Sequence, residues 1–397
     1  MTMMTGDDGN ASALPVVDWN DLGLRREKFL EDLRVALGEV GFCVLTNHPD
    51  FTDDFQQKMF KSARQFFDAS DEEKALSDIS KTPYFRGWSK DRQKEKGKIP
   101  VLLAQEAYQY GFDCEPVAAP DDTSVPVYKR LFRGPNTYPD EETFPDFRPA
   151  IDSMNTRYFN LTHSLGHLIC ESIGADEAIF EELFPYDDPD LAASLNFNKG
   201  MDAVPEKYHD LVREEYDKPF SMITNAHIDG PPFIALLMND RPGLQVVAGK
   251  GGGWIDAPVT CRTSPGKYDV PVIPGSLIVN SGGLLFHLSR GKVVATLHRV
   301  NVSCIPRGET RVSLPYFLIP KMEGPLVPFF EEGEDTGFNY DRERGTNAAV
   351  NRMNLFPQCT RMWWSKEFEM LRDAWMAEVA RETSKTYELA QKRAAKL

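Results

Sequence analysis

Seven histidines, at positions 48, 163, 167, 209, 227, 287 and 298, are the residues most able to carry chemistry in this 397-residue sequence. His227 stands two residues before Asp229. On a strand that spacing turns both side chains to one face, so an imidazole and a carboxylate could grip one metal ion. His298 follows 69 residues after Asp229, inside a predicted strand over 293–304. An antiparallel core could set it opposite His227. Two imidazoles and one carboxylate on one side of an ion leave the other positions open, which suits non-haem Fe(II). Zinc accepts the same donors, and His-Ile-Asp before Gly-Pro-Pro also fits a polar surface turn, so spacing alone does not name the metal.

Arg311-Val-Ser313 begins 13 residues after His298. The same i, i+2 spacing would aim both side chains one way, and a guanidinium fork beside a hydroxyl suits a carboxylate. His163 and His167 share a helix face with Glu171 but lack the acid of an HExxH motif. They read as helix-surface or packing residues. His48, in Asn-His-Pro, reads as part of a turn, His209 as solvated, and His287, in Leu-Phe-His-Leu, as buried and hydrogen-bonded. The glycine-rich 249–253 lacks the order of a phosphate-binding loop and reads as a hairpin loop before Trp254.

Elements of two textures must position these residues. Helical spacing predicts helices over 22–40, 52–67, 147–173 and 177–183, with Thr52 as an N-cap and Gly41 as a stop. Strands are expected at 14–18 and 42–45, and turns dominate 80–140. After Asp190 the chain becomes short β-rich runs separated by Gly and Pro: 193–197, 233–238, 243–247, 254–257, 276–280, 293–304 and 311–319. That pattern predicts a mainly β core with helices, a sandwich or jelly roll. A helix is expected over 365–396.

With 60 acids against 45 bases, the formal charge is −15, which disfavours nucleic acid and anionic lipid as partners. A small-molecule substrate is the expectation. Six cysteines without a CxxC pair read as reduced thiols. Residues 1–12 lack a signal-peptide pattern, no apolar run approaches membrane-spanning length, and Ala395-Lys396-Leu397 resembles a peroxisomal address. The expectation is a cytoplasmic or peroxisomal protein that is not secreted and has no membrane contact.

Taken in order, His227-x-Asp229, His298 and Arg311-x-Ser313 say more than any part. The constellation resembles the isopenicillin N synthase-like family of Fe(II)- and 2-oxoglutarate-dependent oxygenases. Pro274-Gly-Ser-Leu-Ile-Val-Asn280 is similar to its "PG…N" strand. His298-Arg-Val and Arg311-Val-Ser-Leu-Pro-Tyr-Phe317 resemble its closing strands. Leu14-Pro-Val-Val-Asp18, Gly41-Phe-Cys-Val-Leu-Thr-Asn-His48 and Gly134-Pro-Asn136 are similar to its N-terminal module. The resemblance spans about 14–320.

It implies a double-stranded β-helix (jelly roll) braced by N- and C-terminal helices. It divides the chain into a disordered tail at 1–13, a non-haem dioxygenase N-terminal module at 14–150, linking helices at 151–189, the catalytic core at 190–320 and a helical extension at 321–397. It implies that His227, Asp229 and His298 hold Fe(II), that Arg311 and Ser313 bind the distal carboxylate of 2-oxoglutarate, and that O₂ is the oxidant. The outcome would be hydroxylation, desaturation or cyclisation of a small organic molecule of specialised metabolism. Two alternatives stand: a 2-oxoglutarate-independent iron oxidase like isopenicillin N synthase, whose Arg-x-Ser pair grips the substrate, and a non-catalytic ligand-binding relative. Three features depart from the family pattern: the long Asp229–His298 gap, Gly282-Gly283 where an acid is frequent, and Phe197 and Asn198 where a co-substrate tyrosine is frequent. Substrate contacts are expected from 84–88 and 105–110 and from the C-terminal helix.

Overall fold

The computed structural model describes residues 13–90, 105–119, 122, 124–125, 130, 133–187, 190–200, 206, 222–230, 232–248, 253–264, 268–321 and 326–336. The tail before residue 13, His209, the 249–252 loop, Cys359 and the helix expected over 365–396 lie outside them.

The N-terminal part runs β1 (Val16–Asp18), α1 (Asn20–Leu24), α2 (Arg26–Val35), β2 (Phe42–Thr46), α3 (Asp53–Asp68), α4 (Asp71–Lys74), β3 (Gly87–Lys90) and β4 (Gln105–Tyr110). α5 (Phe147–Ile173) and α6 (Glu177–Leu183) follow. Then come β5 (Asp190–Lys199), β6 (Met222–His227), β7 (Ile234–Asn239), β8 (Leu244–Ala248), β9 (Gly253–Asp256), β10 (Leu277–Ser281), α7 (Gly283–Leu288), β11 (His298–Asn301) and β12 (Thr310–Ile319). No helix among the described residues is long and apolar enough to cross a membrane.

Local chemistry sets several boundaries. The Thr52 hydroxyl accepts the Phe55 amide at 3.2 Å, and Asp53 and Asp54 occupy the first turn of α3, complementing its dipole. Phe55, Met59, Ala63 and Phe66 form its buried stripe. Gly41 stops the preceding helical run at a left-handed φ of 72°, where a side chain would also overlap the Thr296 hydroxyl and the Val294 carbonyl. The single helix expected over 22–40 is broken at Arg25 and ends in a π-turn over Ala36–Val40.

Two sheets face each other. The major one has the order β1-β2-β10-β7-β12-β5-β4-β3, the minor one β6-β11-β8-β9. The outer face of the major sheet carries Phe197, Val312, Leu314 and Tyr316 into a large core with α2, α3 and α5. Its inner face meets the minor sheet through Phe42, Val44 and Ile278 against Leu244, Val246 and Ile255. This is the jelly roll with helices on one side. The described cysteines 43, 114, 170, 261 and 304 form no disulfide with one another.

Three sequence expectations change here. β3 and β4 form in a stretch read as turns, because β4 pairs along β5 from Tyr110↔Ala193 to Gln105↔Asn198. The strand expected over 293–304 shortens to β11, followed by a 3-10 turn at Val302–Cys304. β6 is absent from the runs read by apolar pattern, since Met-Ile-Thr-Asn-Ala-His has no apolar alternation, although the His-x-Asp spacing supposed a strand at His227.

Candidate active site

β6 and β11 pair so that His298 lies directly opposite His227, with ring centroids 4.3 Å apart. His227 is the last residue of β6, so Asp229 stands beyond the strand end. The two side chains still meet on one side, as the i, i+2 spacing anticipates. Asp229 Oδ1 lies 3.2 Å from His227 Nε2, and Oδ2 lies 3.6 Å from His298 Nε2. Cis ligands around an octahedral ion at about 2.1 Å stand about 3 Å apart, so the three donors need little adjustment to hold one ion.

Hydrogen bonds behind the donors prepare them. His298 Nδ1 donates to the Thr296 carbonyl at 3.1 Å, leaving Nε2 with its lone pair toward the cluster. The Asn280 amide donates to Asp229 Oδ2 at 2.9 Å. Burial alone would push the Asp229 carboxyl upward, but bonds from His227 and Asn280 and the nearby His298 hold it below its usual value. Burial lowers His298, against the pull of Asp229, so it stands as a neutral ligand. Phe42 packs edge-on to its ring at 5.2 Å.

The glycines at 282 and 283 have a structural reason. An added Cβ at Gly282 would overlap the Pro232 carbonyl, and the Gly283 amide donates to the Asp229 carbonyl at 2.6 Å. Side chains here would displace the loop that carries Asp229.

Arg311 and Ser313 lie on the inner face of β12, and Arg311 Nη1 donates to Ser313 Oγ at 2.9 Å. Arg311 Nε donates to the Arg241 carbonyl at 3.3 Å. Nη2 is buried without a hydrogen-bond partner, and the residue is 1% exposed. Burial pulls the guanidinium down to about 10, opposed by Asp240. Asp240 is itself engaged by Arg64, Thr263 and the Val312 amide. A buried cation with a spare donor and no ion-pair partner among the described residues fits an incoming carboxylate. Asn198, opposite Arg311 in register, also keeps a buried Oδ1 without a partner.

The expected substrate segments divide by face. Trp88, Tyr108 and Tyr110 go to the helical core. Gly87, Ser89, Ala107 and Gln109 share the inner face with Asn196, Ser313 and Arg311 by the β3-β4-β5-β12 register. Among the other histidines, His48 is buried in its turn against Trp19 and Phe51, with Nδ1 accepting the Asp50 amide. His287 is half-buried on α7.

Sequence reasoning missed Thr296, the Arg64–Asp240 network behind Arg311, and the role of Asn280. Only Asn280 had a signal, as the end of the Pro274–Asn280 run.

Comparison with known proteins bears on the family and the fold. Residues 14–141 match the family model described as the N-terminal region of non-haem dioxygenases in morphine synthesis, and residues 206–320 match that of the 2OG-Fe(II) oxygenase superfamily. A clavatol oxidase of Penicillium crustosum is 24% identical over 340 residues, 83% of this chain and 92% of that protein. A 2-oxoglutarate-dependent dioxygenase of Gibberella zeae is 25% identical over 382 residues, 89% and 92% of the two chains. A full-length Neurospora crassa protein solved with alpha-KG shares the fold at a TM-score of 0.62 and 20% identity, covering 90% of this chain and 99% of that one.

Proposed function

Given that this chain belongs to the 2OG-Fe(II) oxygenase superfamily and is a non-haem Fe(II)- and 2-oxoglutarate-dependent oxygenase, we propose that it oxidises a small organic molecule of specialised metabolism. In this reading His227, Asp229 and His298 hold the iron, and Arg311 with Ser313 holds the co-substrate. The observation that carries it is the buried, unpartnered Nη2 of Arg311 on the inner face of the major sheet, the face that packs against the minor sheet bearing His227 and His298. The same reading divides the chain into an N-terminal module at 14–150, linking helices at 151–189, the core at 190–320 and an extension at 321–397.

Iron, O₂ and 2-oxoglutarate, when bound, supply the power to break a C–H bond and leave succinate and CO₂. The chain's own residues do the rest. His298 keeps Nε2 unprotonated through its bond to Thr296. Asn280 orients Asp229, and Phe42 closes the apolar side of the cluster against water. Arg311 and Ser313 fix the far end of the co-substrate through charge-assisted hydrogen bonds worth about 1.5–3 kcal/mol each. Substrate lies against the inner-face row of Gly87, Ser89, Ala107, Gln109 and Asn196, where amides offer hydrogen bonds. Likeness to the clavatol oxidase supports an organic substrate.

Anaerobic titration with Fe(II) and 2-oxoglutarate tests the assignment through the weak visible metal-to-ligand band. The wild type gives the band; His227→Ala and Asp229→Ala lose it. An undiminished band in both variants overturns the ligand assignment. Succinate released in step with product separates this reading from a 2-oxoglutarate-independent oxidase.

A further inference from the structure

We propose that the α5–α6 pair carries a second metal site, separate from the one above, in which His163, His167 and Glu181 hold one zinc ion. His163 and His167 are one turn apart on α5, and Glu177 and Glu181 are one turn apart on α6. The helices approach closely because residue 166, between the histidines, is glycine. The Phe180 ring rests on it, and an added Cβ would overlap that ring. Phe180 also sits 5.5 Å from the His163 ring and 4.9 Å from the His167 ring, so both imidazoles are wedged in place.

Each of the three side chains offers one ligand atom, and these atoms all lie within 4.8 Å of one another. His167 Nε2 is 2.7 Å from Glu181 Oε1, and His163 Nε2 is 3.8 Å from Glu181 Oε2. Tetrahedral zinc with bonds of about 2.0–2.1 Å needs donors about 3.3 Å apart, a value between those two. The half-exposed Glu181 side chain can make the difference up. Zinc suits a set of two imidazoles and one carboxylate, with water in the fourth position.

A separate observation points the same way. His167 Nδ1 lies 2.9 Å from Glu177 Oε2. A carboxylate on the far nitrogen fixes the ring so that Nε2 faces the ion, the usual support of a metal-bound histidine. His163 Nε2 stands 3.2 Å from the Phe184 carbonyl, so binding replaces that hydrogen bond and leaves the ring's proton on Nδ1. Glu171, the acid on the same α5 face, is taken by Arg26; Glu181 supplies the carboxylate from the next helix. The ion would tie α6 to α5 and so steady Phe180 and Phe184 against Phe233, at 5.4 and 4.9 Å, four residues beyond Asp229.

The test uses the full chain carrying Asp229→Ala and His298→Ala, stripped with chelator and titrated with Zn²⁺ and then with Co²⁺ as a visible probe. One zinc per chain, a raised Tm and a tetrahedral Co²⁺ spectrum are expected. Adding His167→Ala abolishes all three. Glu181→Gln, at a half-exposed position that leaves the packing intact, weakens binding by at least about 10-fold, and Glu177→Gln by about 10–100-fold. No zinc bound by the parent chain, or unchanged binding in both His167→Ala and Glu181→Gln, overturns the site and leaves His167 as an imidazole bridging two carboxylates.

Discussion

Asn280 donates its side-chain amide to Asp229 Oδ2 across 2.9 Å, from the buried strand β10 to the loop beyond β6. The bond fixes one carboxylate oxygen while the other faces His227. Asn280→Ala is expected to leave the protein folded but to lower Fe(II) affinity by about 10–100-fold, the usual effect of removing the support of a ligand. Anaerobic Fe(II) titration of both proteins measures this; equal affinities would show that Asp229 needs no such support.

Arg311 predicts a linkage between co-substrate and stability. Its guanidinium bonds Ser313 and the Arg241 carbonyl but keeps Nη2 unpartnered, so on the proposed assignment 2-oxoglutarate should stabilise the folded chain by about 2.7 kcal/mol at roughly 100 times Kd. Arg311→Met keeps the length of the side chain and removes the charge. The Tm rise with 2-oxoglutarate should vanish in that variant while Fe(II) binding persists. A retained rise would place the distal carboxylate elsewhere.

Lys74 and Glu106 form a buried pair at 2.9 Å that fastens α4 to β4. Trp88 Nε1 also donates to Glu106, and Lys74 reaches the Phe67 carbonyl. Lys74→Met strands a buried carboxylate and should cost about 3–5 kcal/mol in urea denaturation. Adding Glu106→Gln, which still accepts from Trp88, should return much of the loss. If Lys74→Met alone is neutral, the pair is not a structural tie.

His48 predicts acid sensitivity. Burial holds its pKa below 6.5, aided by Arg157 and opposed by Asp50. The unfolded chain therefore binds the proton more readily. Stability from the neutral ring is complete above about pH 6.5 and is lost as pH falls toward the folded pKa. Protonation also removes the acceptor used by the Asp50 amide. His48→Gln should flatten the fall in Tm between about pH 7 and 5; an unchanged slope would assign it to other groups.

Much of the fold was legible because helix and strand signals here are local. Thr52 and the 3.6-residue stripes marked α3, α5 and α6 closely, whereas the helix read over 22–40 is broken at Arg25. β6 was hidden because a strand in the small sheet needs no apolar alternation, and β3 and β4 because their strand character comes from pairing with β5. The donor cluster was legible from residue types, spacing and order, with Asp229 standing just past the end of β6 rather than within it. Asn280 and Thr296 act through hydrogen bonds to residues far away or just outside a strand, which spacing does not encode. His163 and His167, read as helix-surface or packing residues, do pack on Phe180; the carboxylates beside them lie on a different helix, which spacing does not encode.

The place of β2 has a consequence for how this protein can be divided. β2 lies between β1 and β10, and its Phe42 covers the ring of His298. The two segments matched by separate family models therefore share one hydrogen-bonded sheet and one side of one site. Expressed alone, 190–320 would present the bare edge of β10 to solvent, an invitation to pair with another copy. Gene recombination among relatives should be tolerated only where β2 and β10 are inherited together, whatever the crossover does to the helices between them.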